Sequence, residues 1–260
     1  MAGKAYKWTS IAYMVLIFLM LYAPIFVLIA YSFNESELNI VWTGFTFKWY
    51  GSLVKNQEII DAFKNSLILA LLSTIISAMV GTLAAVGMYK YNFRGKSVLD
   101  GLLYIPVVIP EIVMGIALLA FFSMLRLPLG LLSLVLSHAA FCIPFVVVVV
   151  RARLEGFDRS IEEAAADLGA SPWKTFFKVT LPIIMPGIVS GALLAFTLSI
   201  DDLIISFFVS GPKSTTLPMK IFGMVKYGVT PEINALSTIM LVVTLSIVIV
   251  AQSIRLKKSS

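Results

Sequence analysis

SIEEAAADLGASPWKTFFKVTLP, residues 160–182, is a polar, charged interruption in a chain otherwise greasy enough to sit in a bilayer. Ser160 followed three residues on by Glu163 has the form of a capping box, so a helix is predicted to begin there with Ser160 as N-cap. Glu162 and Glu163 stand at the positive end of its dipole, and Ala164, Ala165 and Ala166 favour helix. Gly169 suits the left-handed residue that closes such a helix. Ser171 and Pro172 restart a second helix as N-cap and first helical residue, and Leu181-Pro182 is expected to end it. Two short helices about a glycine corner make a rigid knuckle.

On either side of this knuckle the composition is that of a membrane protein. The 260 residues are 59% hydrophobic and 13% charged, where a soluble domain has about a quarter of its residues charged. The net charge of +6 is no nucleic-acid signal, because the cations lie mainly in short segments between apolar runs. The lone Cys142 lies inside an apolar run, which excludes an intrachain disulfide framework and a cysteine metal site.

Six apolar segments stand out, at roughly 11–33, 66–89, 101–125, 130–150, 187–209 and 233–254. Each has the ~20 residues a helix needs to span the hydrocarbon core. The expectation is an all-α membrane protein: six transmembrane helices in one domain over residues 1–260, with a structured loop at 151–186. The first segment is too long for a signal-peptide core and lacks a small-residue cleavage site, so it stays as a helix. With the N-terminus inside, thirteen Lys and Arg, from Lys4 to Lys258, fall in inner segments and seven in outer ones. That bias places both termini and the knuckle in the cytoplasm.

The long outer loop, Asn34 to Lys64, carries Trp42, Trp49 and Tyr50. These read either as an aromatic belt at the membrane interface or as a docking surface for an outer partner. Pro106 and Pro110 break the third span, freeing carbonyls that must face protein or water. Pro186 and Gly187 are expected to start the fifth span, and Ser210-Gly211-Pro212 to turn at its outer end.

Three carboxylates sit where lipid should be. An Asp at the centre of a spanning helix costs about 2.5–3.5 kcal/mol, less near the interface. Asp201 and Asp202 lie in the outer part of the fifth span, and adjacent helical residues point about 100° apart. One therefore lines a cavity while the other caps or pairs; a pair snorkelling to water is the alternative. Glu111, directly after Pro110, reads as a mid-membrane cation contact or as the N-terminal residue of a short helix. His138 and Cys142, four apart, are too few for a metal site and read as helix packing, so no metal ligand is assigned.

No G-x-x-x-x-G-K-[ST], H-E-x-x-H or G-x-S-x-G occurs, so neither a P-loop nor the common hydrolase constellations are supported, and no catalytic residue is assigned. No channel filter of the T-V-G-Y-G kind occurs. A cavity and a knuckle with no engine point to a borrowed engine.

Glu163-Ala164-Ala165, Gly169 and Leu181-Pro182 keep in full the spacing of the EAA motif, so the loop resembles that of ATP-binding-cassette importer permeases, with Val179 where isoleucine is usual. Phe45–Tyr50, the Arg94-Gly95-Lys96 turn, Leu198–Asp202 and Pro231–Ala235 are similar to the spermidine/putrescine permeases of that family. The resemblance implies a type I importer permease fold and coupling helices, carrying those EAA residues, that seat in grooves of ATPase subunits. It implies a second permease, two ATPase copies and an extracytoplasmic substrate-binding protein, with ATP and Mg held by the ATPases and no cofactor on this chain. Asp201, Asp202 and Glu111 are then expected contacts for a polycation on charge grounds. The alternatives are a permease for another cation or an organic phosphonate, or a channel or enzyme acting alone.

Overall fold

The computed structural model describes residues 2–37, 41–226 and 228–257; Lys258, counted above among the inner cations, lies outside them. Among the described residues twelve α-helices follow one another and no strand forms. They are α1 (Ala2–Tyr31), α2 (Lys48–Lys55), α3 (Gln57–Lys90), α4 (Lys96–Val108), α5 (Glu111–Met124) and α6 (Leu131–Glu155), followed by α7 (Ser160–Asp167), α8 (Pro172–Thr175), α9 (Leu181–Asp201), α10 (Ile204–Val209), α11 (Leu217–Val225) and α12 (Pro231–Lys257). Helices dominate because a backbone crossing lipid must satisfy its polar groups internally. Five stretches are long and apolar enough to cross: Thr9–Tyr31, Gln57–Lys90, Leu131–Glu155, Pro172–Asp201 and Pro231–Ile249. Helices α4 and α5 make a sixth only when taken together, and they are bent by 112° at the break between them, the form of a broken span or a re-entrant loop.

Two expectations change. The third segment is not broken at Pro106, which lies inside α4; it breaks at Ile109-Pro110. Pro110 drives the residue before it out of helical space, and Ile109 has φ −70° and ψ 136°. The fifth helix does not begin at Gly187, nor does Leu181-Pro182 end the one before. A π-helical turn at Phe176–Thr180 leads from α8 into α9, with Pro182 in the first turn of α9 and Pro186 inside it. A first-turn proline removes an N–H that needs no intrahelical partner there, so the helix passes through. The helix also stops early: Asp202 is extended, and α10 follows as a separate piece.

The chain forms two compact units, one of residues 1–60 and 221–246, the other of 61–220 and 247–260. In the first, α1 is exposed along its apolar length, as a lipid- or partner-covered helix would be. The loop after it folds around Asn34, which is fully buried. Its amide donates to the Val41 carbonyl at 2.9 Å, its side-chain oxygen accepts from the Thr43 N–H at 3.0 Å, and its carbonyl accepts from the Trp49 indole at 2.7 Å. Trp49 is thus a buried structural residue of this loop, not part of an interfacial belt. The exposed aromatics are Trp42, Phe45 and Phe47, with Phe45 stacked on Phe33 and Phe47 set edge-on to it.

The second unit is built on α6. Leu134, Cys142, Val146, Val150 and Leu154 along it are buried, together with Ile184 and Ala195 of α9. Gly187 and Gly191, four residues apart on α9, allow the two helices to approach closely. A Cβ on Gly191 would lie 3.3 Å from Val146 Cα, and one on Gly187 would lie 2.8 Å from Arg153 Cβ. Overpacking of this kind costs about 1–3 kcal/mol. Gly191→Leu is therefore expected to lower the resistance of the chain to detergent-challenge unfolding; a variant as resistant as wild type would show that this contact is slack.

Candidate functional site

Two places in the second unit gather functional chemistry. The first is the knuckle. The chain enters it through Asp158, whose carboxylate accepts from the Ser160 N–H at 2.9 Å. Ser160 is the first residue of α7 with Arg159 at the N-cap position, and the side-chain cap expected of Ser160 comes instead from Asp158, one residue further back. An Asp side chain bonding two residues ahead closes an Asx turn that the Ser–Glu pattern does not reveal. The Ser160 backbone N–H, with its hydroxyl, holds the Asp158 carboxyl below the usual carboxylate range. The cap is therefore fully present above the ordinary carboxylate pKa and is lost only as pH falls through that lower value.

Gly169 has φ +82°, as the helix stop requires. Its N–H donates to the Ala166 carbonyl at 2.8 Å and that of Ala170 to Ala165 at 3.0 Å, a Schellman closure. Ser171 then caps α8 by accepting from the Lys174 N–H.

What fastens the knuckle is Glu162, which sequence reasoning passed over in favour of its neighbour. Its carboxylate lies 2.7 Å from Lys90 Nζ at the end of α3 and accepts from the Thr180 hydroxyl. Arg159 donates to the Tyr89 carbonyl at 3.0 Å and lies over the Tyr89 ring at 4.6 Å. Helix α3 is about 50 Å long, some 20 Å more than a bilayer core, so its end projects far enough to hold a loop outside the membrane. With Glu162 turned inward, Glu163 and Ala164 face out and Ala165 is half-buried. Around them Leu168 is 89% exposed and Trp173 74%, the latter stacked on Phe177. Bare apolar side chains of this size leave an open apolar patch on the knuckle.

The second place is where two broken helices meet. Helix α10 packs on α5 through Phe208 against Gly115, and on α6, where Ser133 donates to the Val209 carbonyl at 2.8 Å. Asp201 ends α9 with its side chain exposed. Asp202, one residue on, is 8% exposed and caps α10. It accepts from the Ile205 N–H at 3.2 Å and from the Ser206 N–H and hydroxyl, each at 2.8 Å. His138 of α6 reaches it: Nε2 lies 3.3 Å from the Asp202 carboxylate and 3.0 Å from Ser206 Oγ, while Nδ1 lies 2.8 Å from Ser199 Oγ. His138 is thus a polar tie between helices and not packing alone. Nothing local in the sequence links it to Asp202; a histidine in an apolar run was the only signal.

Glu111 begins α5, at its positive end, and is exposed, with Asp202 and Asp201 as the charges acting on it. The structure therefore brings Glu111, Asp201 and Asp202 together and gives them different work. Two carboxylates are bare at helix breaks, and the third is consumed by a cap. The EAA residues form a separate place on the knuckle. Among the described residues no three His, Cys, Asp or Glu side chains are grouped to hold a metal.

Broken spanning helices with exposed carboxylates at the breaks, together with a braced external knuckle, define a membrane-embedded transport subunit. The family described as binding-protein-dependent transport system inner membrane component matches residues 77–256, and this chain belongs to it. It is a multi-pass inner-membrane permease subunit and not an enzyme. Among its relatives, the spermidine/putrescine transport system permease protein PotC of Escherichia coli K12 is 47% identical over 247 residues, covering 95% of this chain and 94% of that one. The putrescine transport system permease protein PotI of the same strain is 47% identical over 231 residues, covering 86% and 82%. In fold, the chain is similar to a crystal structure of a bacterial ABC transporter involved in the import of the acidic polysaccharide alginate, with a TM-score of 0.78, 15% identity and 97% of each chain covered.

Proposed function

We propose that this chain forms part of the route by which a polyamine, spermidine or putrescine, crosses the inner membrane in an ATP-driven importer. The observation that carries this reading is the pair of bare carboxylates, Asp201 and Glu111, set at two adjoining helix breaks. A flexible polycation needs spaced anionic contacts that it can leave as readily as it enters, and exposed carboxylates supply them. The PotC and PotI likeness, near full length, supports the same substrate class.

The excess of Lys and Arg in alternate loops supports placing both termini and the knuckle in the cytoplasm. There the knuckle meets an ATPase, Glu163 offering a carboxylate to a basic groove, Ala164 and Ala165 permitting close approach, and Gly169 with Leu181-Pro182 fixing the path of the chain. ATP and Mg belong to the ATPase. A second permease, a pair of ATPase copies and an extracytoplasmic binding protein complete the machine, which alternates its access because ATP favours one of two states.

The test is ATP-dependent uptake into proteoliposomes carrying the complete importer, with labelled spermidine and putrescine challenged by excess unlabelled solutes. Uptake blocked by polyamines and indifferent to sulfate, phosphonates and neutral amino acids is expected. Uptake that follows one of those other solutes instead would overturn the polyamine assignment.

A further inference from the structure

The polar cluster around His138 turns more hydrogen-bond acceptors toward the ring than a neutral imidazole, with its single N–H, can serve. Ser73 Oγ lies 2.8 Å from the Leu69 carbonyl, an acceptor only, so the Ser73 proton is committed there. Ser199 Oγ lies 2.9 Å from Ser73 Oγ and must therefore donate to it. The Ser199 oxygen is left to accept, and the group facing it at 2.8 Å is His138 Nδ1, which must carry a proton. At the other ring nitrogen, Ser206 donates its hydroxyl to Asp202 at 2.8 Å. A bare Nε2 would then set its lone pair against both the Ser206 oxygen at 3.0 Å and a carboxylate oxygen at 3.3 Å, so Nε2 is protonated as well. His138, Ser73, Ser199 and Ser206 are all buried, and Asp202 nearly so, which shields the cluster from bulk solvent.

We propose that His138 is a positioning residue of the transport pathway: as an imidazolium it neutralises Asp202 and fixes the break between α9 and α10, so that Asp201 faces the substrate as the charged group there. The pair carries no net charge, which permits its burial beside Cys142 without leaving an unpaired ion. The serines extend the tie from α6 to α3, α9 and α10, so the break is held from each of those helices. The consequence for transport rests on the polyamine reading; the charge state of the pair does not.

The first test is nitrogen-15 magnetic resonance of the full chain in lipid bilayers at neutral pH, labelled in histidine and purified through a histidine-free tag. His138 is the only histidine, so a single imidazole reports. Two protonated ring nitrogens are expected, whereas an unpaired imidazole is mostly neutral at that pH. One bare nitrogen overturns the proposal. The second test is spermidine uptake by the complete importer carrying His138→Gln, alone and with Asp202→Asn. His138→Gln leaves a buried carboxylate uncompensated, and an uptake loss of about tenfold or more is expected. Adding Asp202→Asn restores neutrality and is expected to recover most of that loss, which a packing role would not do; a double variant no better than the single overturns the proposal. If wild-type importer moves no polyamine, the functional reading falls while the resonance result still decides the charge pair.

Discussion

Glu163→Arg is expected to abolish co-purification of the ATPase with this permease while leaving the permease folded. The asymmetry between neighbours is the reason. Glu162 is spent inside the chain on Lys90 and Thr180, whereas Glu163 faces out beside Ala164 on a surface that also bares Leu168 and Trp173. A reversed charge on an exposed helix costs the fold little. In the proposed ATPase interface it would meet the basic groove residue that the carboxylate is proposed to pair. Truncating one partner of a buried charge pair costs about 2–5 kcal/mol, so binding weakened by a hundredfold or more is expected from reversal. Tagged permease, pulled down with its ATPase and assayed for stimulated ATP hydrolysis, checks this directly. Glu162→Arg is the control and is expected to unseat the knuckle itself, exposing it to protease. ATPase held normally by Glu163→Arg would remove the knuckle's outer face from the coupling interface.

Asp202→Ala is expected to deplete the folded chain, and Asp201→Asn to leave it intact. Removing the Asp202 carboxylate orphans the Ile205 and Ser206 N–H groups at the start of α10 and strips His138 of its partner, all in a buried setting. A lost cap costs about 1 kcal/mol and each buried unsatisfied donor about 1–3 kcal/mol, which together threaten a chain of ordinary stability. The exposed Asp201 carries no such load. Monodisperse yield and thermal unfolding of the two variants, compared in one detergent, separate them. Equal stability would mean that the cap is dispensable and that the two carboxylates share their role.

Much of this was legible locally. The Ser171-Pro172 start and the Gly169 stop follow from short-range chemistry, and both appear as the residue types demand. Ser160 misled because a better cap, Asp158, stands two residues upstream. The continuity of 172–201 was hidden for a different reason: Leu181-Pro182 reads as the end of one helix and Pro186-Gly187 as the start of the next, but a π turn and a proline in the first turn of α9 let the helix pass through. At Asp201-Asp202 the charge announced a special place, but which carboxylate is bare depends on the break that follows Asp202. That break is held by His138 from a distant helix, a tie no periodicity reports.

The central claim is that a polycation passes the bare carboxylate at the end of α9. Spermidine uptake by the reconstituted importer, normalised to its ATP hydrolysis, measures this for wild type, Asp201→Glu and Asp201→Asn side by side. A charge-assisted contact contributes about 1.5–3 kcal/mol, so Asp201→Asn should transport at least about tenfold more slowly while ATP hydrolysis continues. Asp201→Glu should keep most of the activity. If Asp201→Asn carries spermidine as fast as wild type, the substrate does not pass this carboxylate and the account of the pathway is wrong.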